Sequence, residues 1–196
     1  MHRMARRPFL GLVALAGLGD GGDGSLAGRL LVASPALGDP NFARTVVLMV
    51  SHDPGGALGL VVNRPYGTAP LAALVERLGV GTVASDRQVA VGYGGPVQPD
   101  TGFLVHDAAY AVEATIRVTE RIAVTPDPKA LTGLAGPDAP AHALVTLGYA
   151  GWGPGQLDGE IARGDWDSVA VEPDLVFATD PASTWDRARA LVGTDL

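Results

Sequence analysis

Three adjacent residues, Ser51, His52 and Asp53, are of the types that form the catalytic triad of a serine hydrolase. In a triad the histidine stands between the nucleophile and the carboxylate. Side chains alternate along a strand, so Ser51 and Asp53 would point to one face and His52 to the other. The chain also has no Gly-x-Ser-x-Gly elbow. We therefore predict that His52 fixes the turn or a neighbouring backbone carbonyl, with catalysis as the alternative.

The other histidines are too scattered to predict a metal site. His106 ends a strand in the same manner as His52 and receives the same prediction, and His142 stands apart from both. Neither a His-Glu-x-x-His motif nor a paired-histidine spacing occurs. The chain has no cysteine, which excludes disulfides, thiolate catalysis, iron–sulfur clusters and cysteine zinc sites. We predict no metal and no cofactor.

Five glycines, a proline and a tryptophan are concentrated in GYAGWGPGQLDGE, residues 148–160. The glycines permit a positive φ or a close backbone approach where a strand ends. A helix is predicted over 155–163, and the free N–H groups at its start can hold an anion unless Glu160 satisfies one of them. Trp152 either plugs a packed corner between sheet and helix or faces a ligand. Glycine is unfavourable inside a helix, so we expect something to pack tightly against Gly159.

Two further turns carry polar side chains. Residues 39–42 and 63–65 flank strands, and the simpler interpretation is Asx-turn hydrogen bonds and an arginine that pairs with a carboxylate. Backbone without side chains leaves room for an indole, so we predict that 63–65, the turn at 94–96 and Trp152 meet in space. Trp152 would be packed between the two turns, with His52 or His106 near the rim. The candidate ligand-binding residues are Asn41, His52, Asn63, Arg64, Gly94, Gly95, His106, Tyr149, Trp152, Gln156 and Glu160.

Apolar runs bounded by turn residues predict the strands. The turn signal DPGG joins two such runs into a hairpin over residues 45–64. The other strands are predicted at 28–34, 88–91, 102–105, 114–118, 122–124, 143–147, 168–171 and 175–178.

Helices are predicted at four places. Thr68 can cap a helix over 70–78, whose apolar side chains share one face. Thr125-Pro126 opens a second helix, residues 155–163 form the third, and Asp180-Pro181 starts the last. No period of 20–50 residues repeats, and no linker separates domains. We therefore predict a single α+β domain.

Composition and charge exclude some classes of protein. A chain of 196 residues can bury one sizeable core, and a composition of 47% hydrophobic and 18% charged residues is typical of a globular protein. The net charge of −7 opposes a nucleic-acid surface, which normally has a clustered basic face. The candidate arginines for such a face, which are interleaved with acidic residues, are Arg77, Arg87, Arg117 and Arg121.

The N-terminus imitates a secretory signal. It has a basic start, an apolar run over 9–18 and an Ala-x-Ala at 14–16. Cleavage there would leave too short an apolar region, and the run cannot span a bilayer, which takes about 20 residues. We predict a flexible extension over residues 1–24, with a signal peptide as the alternative, and one domain over 25–196 that has no contact with a membrane.

Several motifs in a fixed order carry a family resemblance over residues 28–192. They are GRLLVASPALGDPNFARTVVLMVSHDPGGALGLVVNRP, GGPV, GFLVH and GYAGWGPGQLDGEI. In these motifs the chain resembles the YqgE/AlgH family. The resemblance implies a small cytoplasmic α+β protein with coiled, partly split mixed β-sheets and about four packed helices. The molecular function of that family is not established. Some members carry the label of transcriptional regulator, but no helix–turn–helix pattern supports it here.

Three hypotheses about function remain open. The first is a non-enzymatic domain that binds a small molecule or a protein partner, and it is the one we favour. The second is an enzyme of unrecognised type that uses His52, His106, Asn63 or Glu160. These two differ in whether the histidines and Glu160 converge in a concave pocket. The third is a transcription-linked regulator without a recognisable DNA-binding motif, which needs an arginine-rich face. The sequence leaves the ligand, the partner and the oligomeric state open.

Overall fold

The computed structural model describes residues 24–193. The predicted extension over residues 1–24 therefore lies outside the described residues, except for Gly24. Within the described range the strands are β1 (Arg29–Ala33), β2 (Val46–Asp53), β3 (Gly56–Val61), β4 (Pro65–Pro70), β5 (Gln88–Tyr93), β6 (Val97–Asp107), β7 (Ile116–Arg117), β8 (Ile122–Thr125), β9 (Ala143–Trp152) and β10 (Trp166–Ala170).

Within residues 24–193, four short α-helices and two 3-10 helices pack on these strands. The α-helices are α1 (Leu71–Arg77), α2 (Gln156–Ala162), α3 (Pro173–Val176) and α4 (Thr184–Leu191). The 3-10 helices span Pro128–Ala135 and Pro181–Ser183. In the part of the chain that is described, no helix is long and apolar enough to cross a membrane.

Strand β9 is central to the sheet because it pairs with three other strands. Its first half pairs in parallel with β5, where Ala90 lies opposite Leu144, and antiparallel with β6 on the other edge. Its last residues pair instead with β3, where Ala57 lies opposite Trp152. One edge of β9 is therefore shared by β5 and β3, and the sheet divides there.

The remaining pairings are antiparallel. The strand order is β10-β1-β2-β3-β9-β6-β8-β7, and β4 pairs with the outer edge of β5. The predicted hairpin over 45–64 is confirmed as β2 and β3, joined at Pro54-Gly55. The single α+β domain with partly split mixed sheets, which the resemblance implied, is confirmed.

Both faces of the sheet are covered, and β1 shows this most directly. Leu30 and Val32 belong to one buried cluster, with α3 and α4 against it. Leu31 and Ala33 belong to another cluster on the opposite face, because side chains alternate across a strand. A third cluster lies under α1 and the longer 3-10 helix. Three small cores therefore stabilise one sheet.

Strand β9 is longer than the apolar pattern predicted. The prediction ended it at Leu147, but pairing continues through the glycine-rich residues to Trp152. The reason is close backbone approach. A side chain on Gly94 or Gly95 would collide with backbone at Gly148 or Tyr149, respectively. The glycines therefore allow backbones to lie close together within the sheet.

Two predicted helix starts are wrong in detail. Thr68 lies in β4 opposite Ala90, and α1 begins after Pro70 without a side-chain cap. Thr125 ends β8 as a buried residue, and the next helix begins at Pro128, where Asp127 caps the N–H of Lys129. In both places the threonine is recruited by a strand, since pairing in the sheet outweighs the modest benefit of a cap.

Two predicted strands also differ. Residues 175–178 form no strand: Pro173 starts α3, and Leu175 and Val176 are buried in it. A short apolar run cannot be distinguished from a buried helical segment by periodicity alone. The strand predicted over 114–118 is reduced to Ile116–Arg117, because Ala114 is in the left-handed region with φ of 65°.

Candidate functional site

Glu160 holds together the corner formed by β9, α2 and β10. Its Oε2 accepts the indole N–H of Trp152 at 2.8 Å and that of Trp166 at 2.9 Å. Its Oε1 accepts from the side-chain amide of Gln156 at 2.9 Å. Hydrogen bonds to a charged acceptor are about twice as strong as neutral ones. Glu160 therefore stabilises the corner rather than the backbone donors at the start of α2.

Both tryptophans at this corner are buried. Trp152 is 6% exposed and Trp166 is 3% exposed, and their rings meet edge to face at 6.1 Å. Phe42 stacks on Trp152 at 6.2 Å and meets Trp166 edge to face at 5.6 Å. The plug interpretation requires this burial. The expectation of tight packing at Gly159 is wrong, because an added Cβ would meet only the flexible end of Arg163, at 3.6 Å.

The turn at 94–96 and the turn at 63–65 meet in space, as predicted. The N–H of Tyr93 donates to the carbonyl of Arg64, and the carbonyl of Gly94 accepts the N–H of Val61, each at 2.8 Å. Gly95 lies directly on the backbone of Tyr149. The ring partners of Trp152, however, are Phe42 and Trp166, which come from the 39–44 loop and from β10 and were not predicted.

His52 holds a neighbouring backbone group, as predicted, but that group is an N–H donor and not a carbonyl. Its Nδ1 accepts the N–H of Leu26 at 3.1 Å, so in the neutral ring the proton is on Nε2, which lies 3.5 Å from a carboxylate oxygen of Asp158. The neighbouring Asp53 accepts from the N–H of Gly55 instead. Ser51, His52 and Asp53 therefore form no triad.

His106 pairs with Ala143, at the opposite end of β9 from Trp152, and lies in a chain of hydrogen bonds. Its Nδ1 donates to the carbonyl of Asp107, and its Nε2 accepts from the hydroxyl of Thr125, both at 2.9 Å. The hydroxyl of Thr115 completes the chain, 2.9 Å from that of Thr125. Burial lowers the pKa of His106 from its ordinary value of 6.5, and the hydrogen bond to Asp107 only partly opposes this. Burial thus favours the neutral form of the imidazole.

The third histidine of the described residues is paired at the surface. His142 lies 3.0 Å from a carboxylate oxygen of Asp107 and stacks on Phe177 at 5.2 Å. Within residues 24–193, no group of three or more histidines and acidic residues is placed to hold a metal ion.

The polar turn at Asn63 and Arg64 differs most from its simple interpretation. Asn63 makes no local Asx turn: its side chain accepts the N–H of Val46 at 2.8 Å and donates to the carbonyl of Arg44 at 3.0 Å. Arg64 pairs with no carboxylate among the described residues. Its guanidinium donates to the carbonyl of Pro40 at 3.0 Å and to that of Ala43 at 2.9 Å.

A surface hollow of about 540 Å³ opens beside this guanidinium. We call it the Arg64 hollow, and its lining residues are Asn63, Arg64, Pro65, Tyr66, Tyr93 and Ala182. The guanidinium carbon lies 5.7 Å from the ring centre of Tyr93, whose hydroxyl donates to the side-chain oxygen of Asn41 at 3.4 Å. Burial raises the pKa of Tyr93, Arg64 opposes the rise, and Tyr66 and Asp39 add to it.

The 39–44 loop lies between this hollow and the tryptophan corner. Its Pro40 and Ala43 carbonyls face Arg64, whereas the ring of Phe42 faces Trp152. The Asx turn predicted here is confirmed, because Asp39 accepts the N–H of Asn41 at 2.8 Å. The loop thus contacts both places, through different residues.

The predicted site residues therefore fall into separate groups. Asn41, Asn63 and Arg64 belong to the hollow; Gly94, Gly95 and Tyr149 form the close backbone approach; and Trp152, Gln156 and Glu160 form the corner, with His52 beside it through Asp158. His106 is apart from all of them. The residues that sequence reasoning missed are Tyr66, Tyr93, Phe42 and Trp166. Two of them stand at the predicted polar turns: Phe42 ends the 39–42 turn, and Tyr66 directly follows Pro65.

Comparison with known proteins agrees with this architecture. The family model described as AlgH-like matches residues 30–196. The chain belongs to the AlgH-like family. Among its relatives, a UPF0301 protein of Cereibacter sphaeroides is 39% identical over 171 residues, which are 87% of this chain and 93% of that one. A UPF0301 protein of Jannaschia is 40% identical over 172 residues, covering 87% and 90%.

Solved structures of relatives share the fold. The solution structure of the AlgH protein from Pseudomonas aeruginosa is 33% identical, with a TM-score of 0.72 over 88% of this chain and 92% of that one. A crystal structure of a protein from Corynebacterium diphtheriae is 24% identical, with a TM-score of 0.64 over 83% and 85%, and that likeness concerns the fold alone. The names of these relatives state no activity.

Proposed function

We propose that this AlgH-like protein is a non-enzymatic binding domain and that the Arg64 hollow is its binding site for a small molecule. The single observation that supports this most is that Arg64, which is half-buried and lines the hollow, has no carboxylate partner among the described residues. The volume of the Arg64 hollow, about 540 Å³, is within the range of small-molecule sites.

The positions of the histidines support binding over catalysis. A general base needs a reachable substrate proton, and the buried ring of His106 is occupied on both nitrogens. His52 is occupied by Leu26 and Asp158, and Glu160 by two indoles. None of these three groups lines the Arg64 hollow. The enzyme hypothesis therefore finds no histidine or glutamate base at the Arg64 hollow.

A nucleic-acid role finds no support in the arginines. Arg87 braces a loop through the carbonyls of Leu134 and Pro140, and Arg117 donates to the carbonyl of Glu120. Together with the net charge of −7, this argues for DNA binding that is micromolar or poorer and lost at moderate salt. A cytoplasmic location, which the family resemblance implies, is part of our proposal.

Backbone amide NMR with a fragment library tests the proposed site. Fragments that bind should shift the amides of Asn63, Arg64, Tyr66 and Tyr93 together and leave those around Glu160 in place. Tyr66→Ala should weaken the binding, because Tyr66 is 64% exposed and lines the hollow. Exposed Val112→Ala is the matched control, since Val112 does not line the hollow. Fragments that cluster at another surface would refute the assignment of the site.

A further inference from the structure

The Arg64 guanidinium has unused donors. A guanidinium carries five N–H groups in a planar fork, and two bonds to the carbonyls of Pro40 and Ala43 are formed within the described residues. Because those acceptors are neutral, the positive charge is not compensated by a salt bridge there. The two carbonyls also anchor the guanidinium, so little side-chain freedom is lost when a ligand binds.

The aromatic walls of the hollow indicate the shape of the uncharged part of a ligand whose negative group binds Arg64. Tyr66 is 64% exposed and is one of two large hydrophobic side chains that the described chain leaves exposed. Tyr93 also lines the hollow, with its ring centre 5.7 Å from the guanidinium carbon of Arg64. Aromatic faces bind flat apolar groups by stacking. A planar body beside a charge fits these walls.

The charged residues around the hollow favour a ligand with one negative charge over a ligand with two. Arg64 is the only cationic residue in the lining. Asp39 lies close enough to add to the raised pKa of Tyr93, after burial as the main cause, and it would repel a second negative charge. A dianionic phosphate usually needs more donors than one arginine supplies, such as a helix N-terminus or a lysine.

We infer that the Arg64 hollow binds a small molecule with one carboxylate and a flat apolar body, with the carboxylate on the Arg64 guanidinium and the body against Tyr66. This inference rests on the proposed function, because it names the ligand class of the same site. A carboxylate matches the guanidinium fork in a bidentate pair, which a neutral amide of the same shape cannot reproduce.

Benzoate and benzamide are matched probes for this inference, since they share a ring and differ in charge. Backbone amide NMR on the full chain should give saturable shifts at Arg64 and Tyr66 with benzoate, with a dissociation constant of about 1 mM, as expected for a fragment. Benzamide should bind at least about tenfold more weakly, the loss expected from a charge-assisted bond. Inorganic phosphate should also bind more weakly than benzoate.

Two variants test the role of the arginine. Arg64→Gln should weaken benzoate about tenfold or more and leave benzamide unchanged, and the unchanged benzamide binding reports that the hollow is intact. Tyr66→Ala should weaken both probes. Exposed Arg77→Gln, on α1, is the control for loss of a positive charge, and it should leave benzoate binding as in the parent protein.

The outcomes separate this inference from the proposed function. If benzoate and benzamide bind equally at the hollow and Arg64→Gln changes neither, the inference of a carboxylate ligand is wrong. The proposal that the hollow is a binding site would then still hold. If inorganic phosphate binds more tightly than benzoate, the inference that the ligand carries a single negative charge is wrong. Tenfold tighter binding of a hexapeptide that ends in phenylalanine with a free carboxylate would assign the site to a protein terminus. If neither benzoate, benzamide nor a wider fragment set shifts the hollow, both proposals fail.

Discussion

Trp152 and Trp166 donate their indole N–H groups to the same oxygen of Glu160, at 2.8 and 2.9 Å. They come from β9 and β10, the central strand and an edge strand of the sheet. One carboxylate on α2 therefore ties together elements that do not pair with each other. The stability of this corner should depend on that single side chain.

Removal of the carboxylate should destabilise the protein. Glu160→Ala leaves two buried indole donors without their partner, and each unsatisfied donor costs about 1–3 kcal/mol. We expect a loss of about 2–4 kcal/mol in urea unfolding followed by tryptophan fluorescence. Glu160→Gln retains one acceptor oxygen and should lose less. A midpoint for Glu160→Ala within error of the parent protein would contradict this role.

Trp152→Ala should cost about 3–5 kcal/mol, the range for emptying an aromatic core site. The reason is that Trp152 is 6% exposed and packs against Phe42 and Trp166. Chemical denaturation is the measurement. Tyr66→Ala is the matched aromatic control and should change stability by no more than about 0.5 kcal/mol, because Tyr66 is exposed. An unchanged midpoint in Trp152→Ala would refute the plug interpretation.

His106 should make the protein less stable in mild acid. Its folded pKa lies below the ordinary value of 6.5, mainly because of burial, so below about pH 6.5 the unfolded chain takes up a proton that the folded chain resists. The contribution of His106 to the free energy of unfolding is fully present above that pH. As the pH falls below it, this contribution is lost by at most about 1.4 kcal/mol per pH unit.

Urea unfolding of the parent and of His106→Gln between pH 7.5 and 5.5 measures this effect. The variant should start from lower stability, because it disturbs the bond to Thr125, but should lose less of its stability on acidification. His142→Gln controls for a surface histidine. Parallel curves for the parent and His106→Gln would show that His106 makes no such contribution.

Two glycines should respond to alanine in opposite directions. Gly159 lies inside α2 with room for a Cβ, so Gly159→Ala should stabilise the protein by up to about 1 kcal/mol. Gly95 has a φ of 154° and lies against the backbone of Tyr149, so Gly95→Ala should destabilise it. Thermal unfolding compares the two. A destabilised Gly159→Ala would mean that packing at α2 is tighter than it is in this structure.

The sequence alone determined the parts of the fold that depend on local chemistry. The β2–β3 hairpin, α1, α2 and the helix after Asp180 were predicted because apolar periodicity, prolines and turn residues act over a few neighbours. The motifs were sufficient to recognise the family. Alternation along β2 was likewise enough to reject a triad at Ser51–Asp53, since it depends only on strand geometry.

Only the tertiary structure decided how distant groups are paired. Glu160 binds indoles rather than helix N–H groups, and Arg64 binds carbonyls rather than a carboxylate. The partners of Arg64 lie 21 or more residues away in the chain. A side-chain hydrogen bond leaves no periodic trace in sequence, because it depends on where two backbones meet in three dimensions. For the same reason Gly148 was predicted at a strand end but lies within β9, where its missing side chain admits the backbone of Gly95.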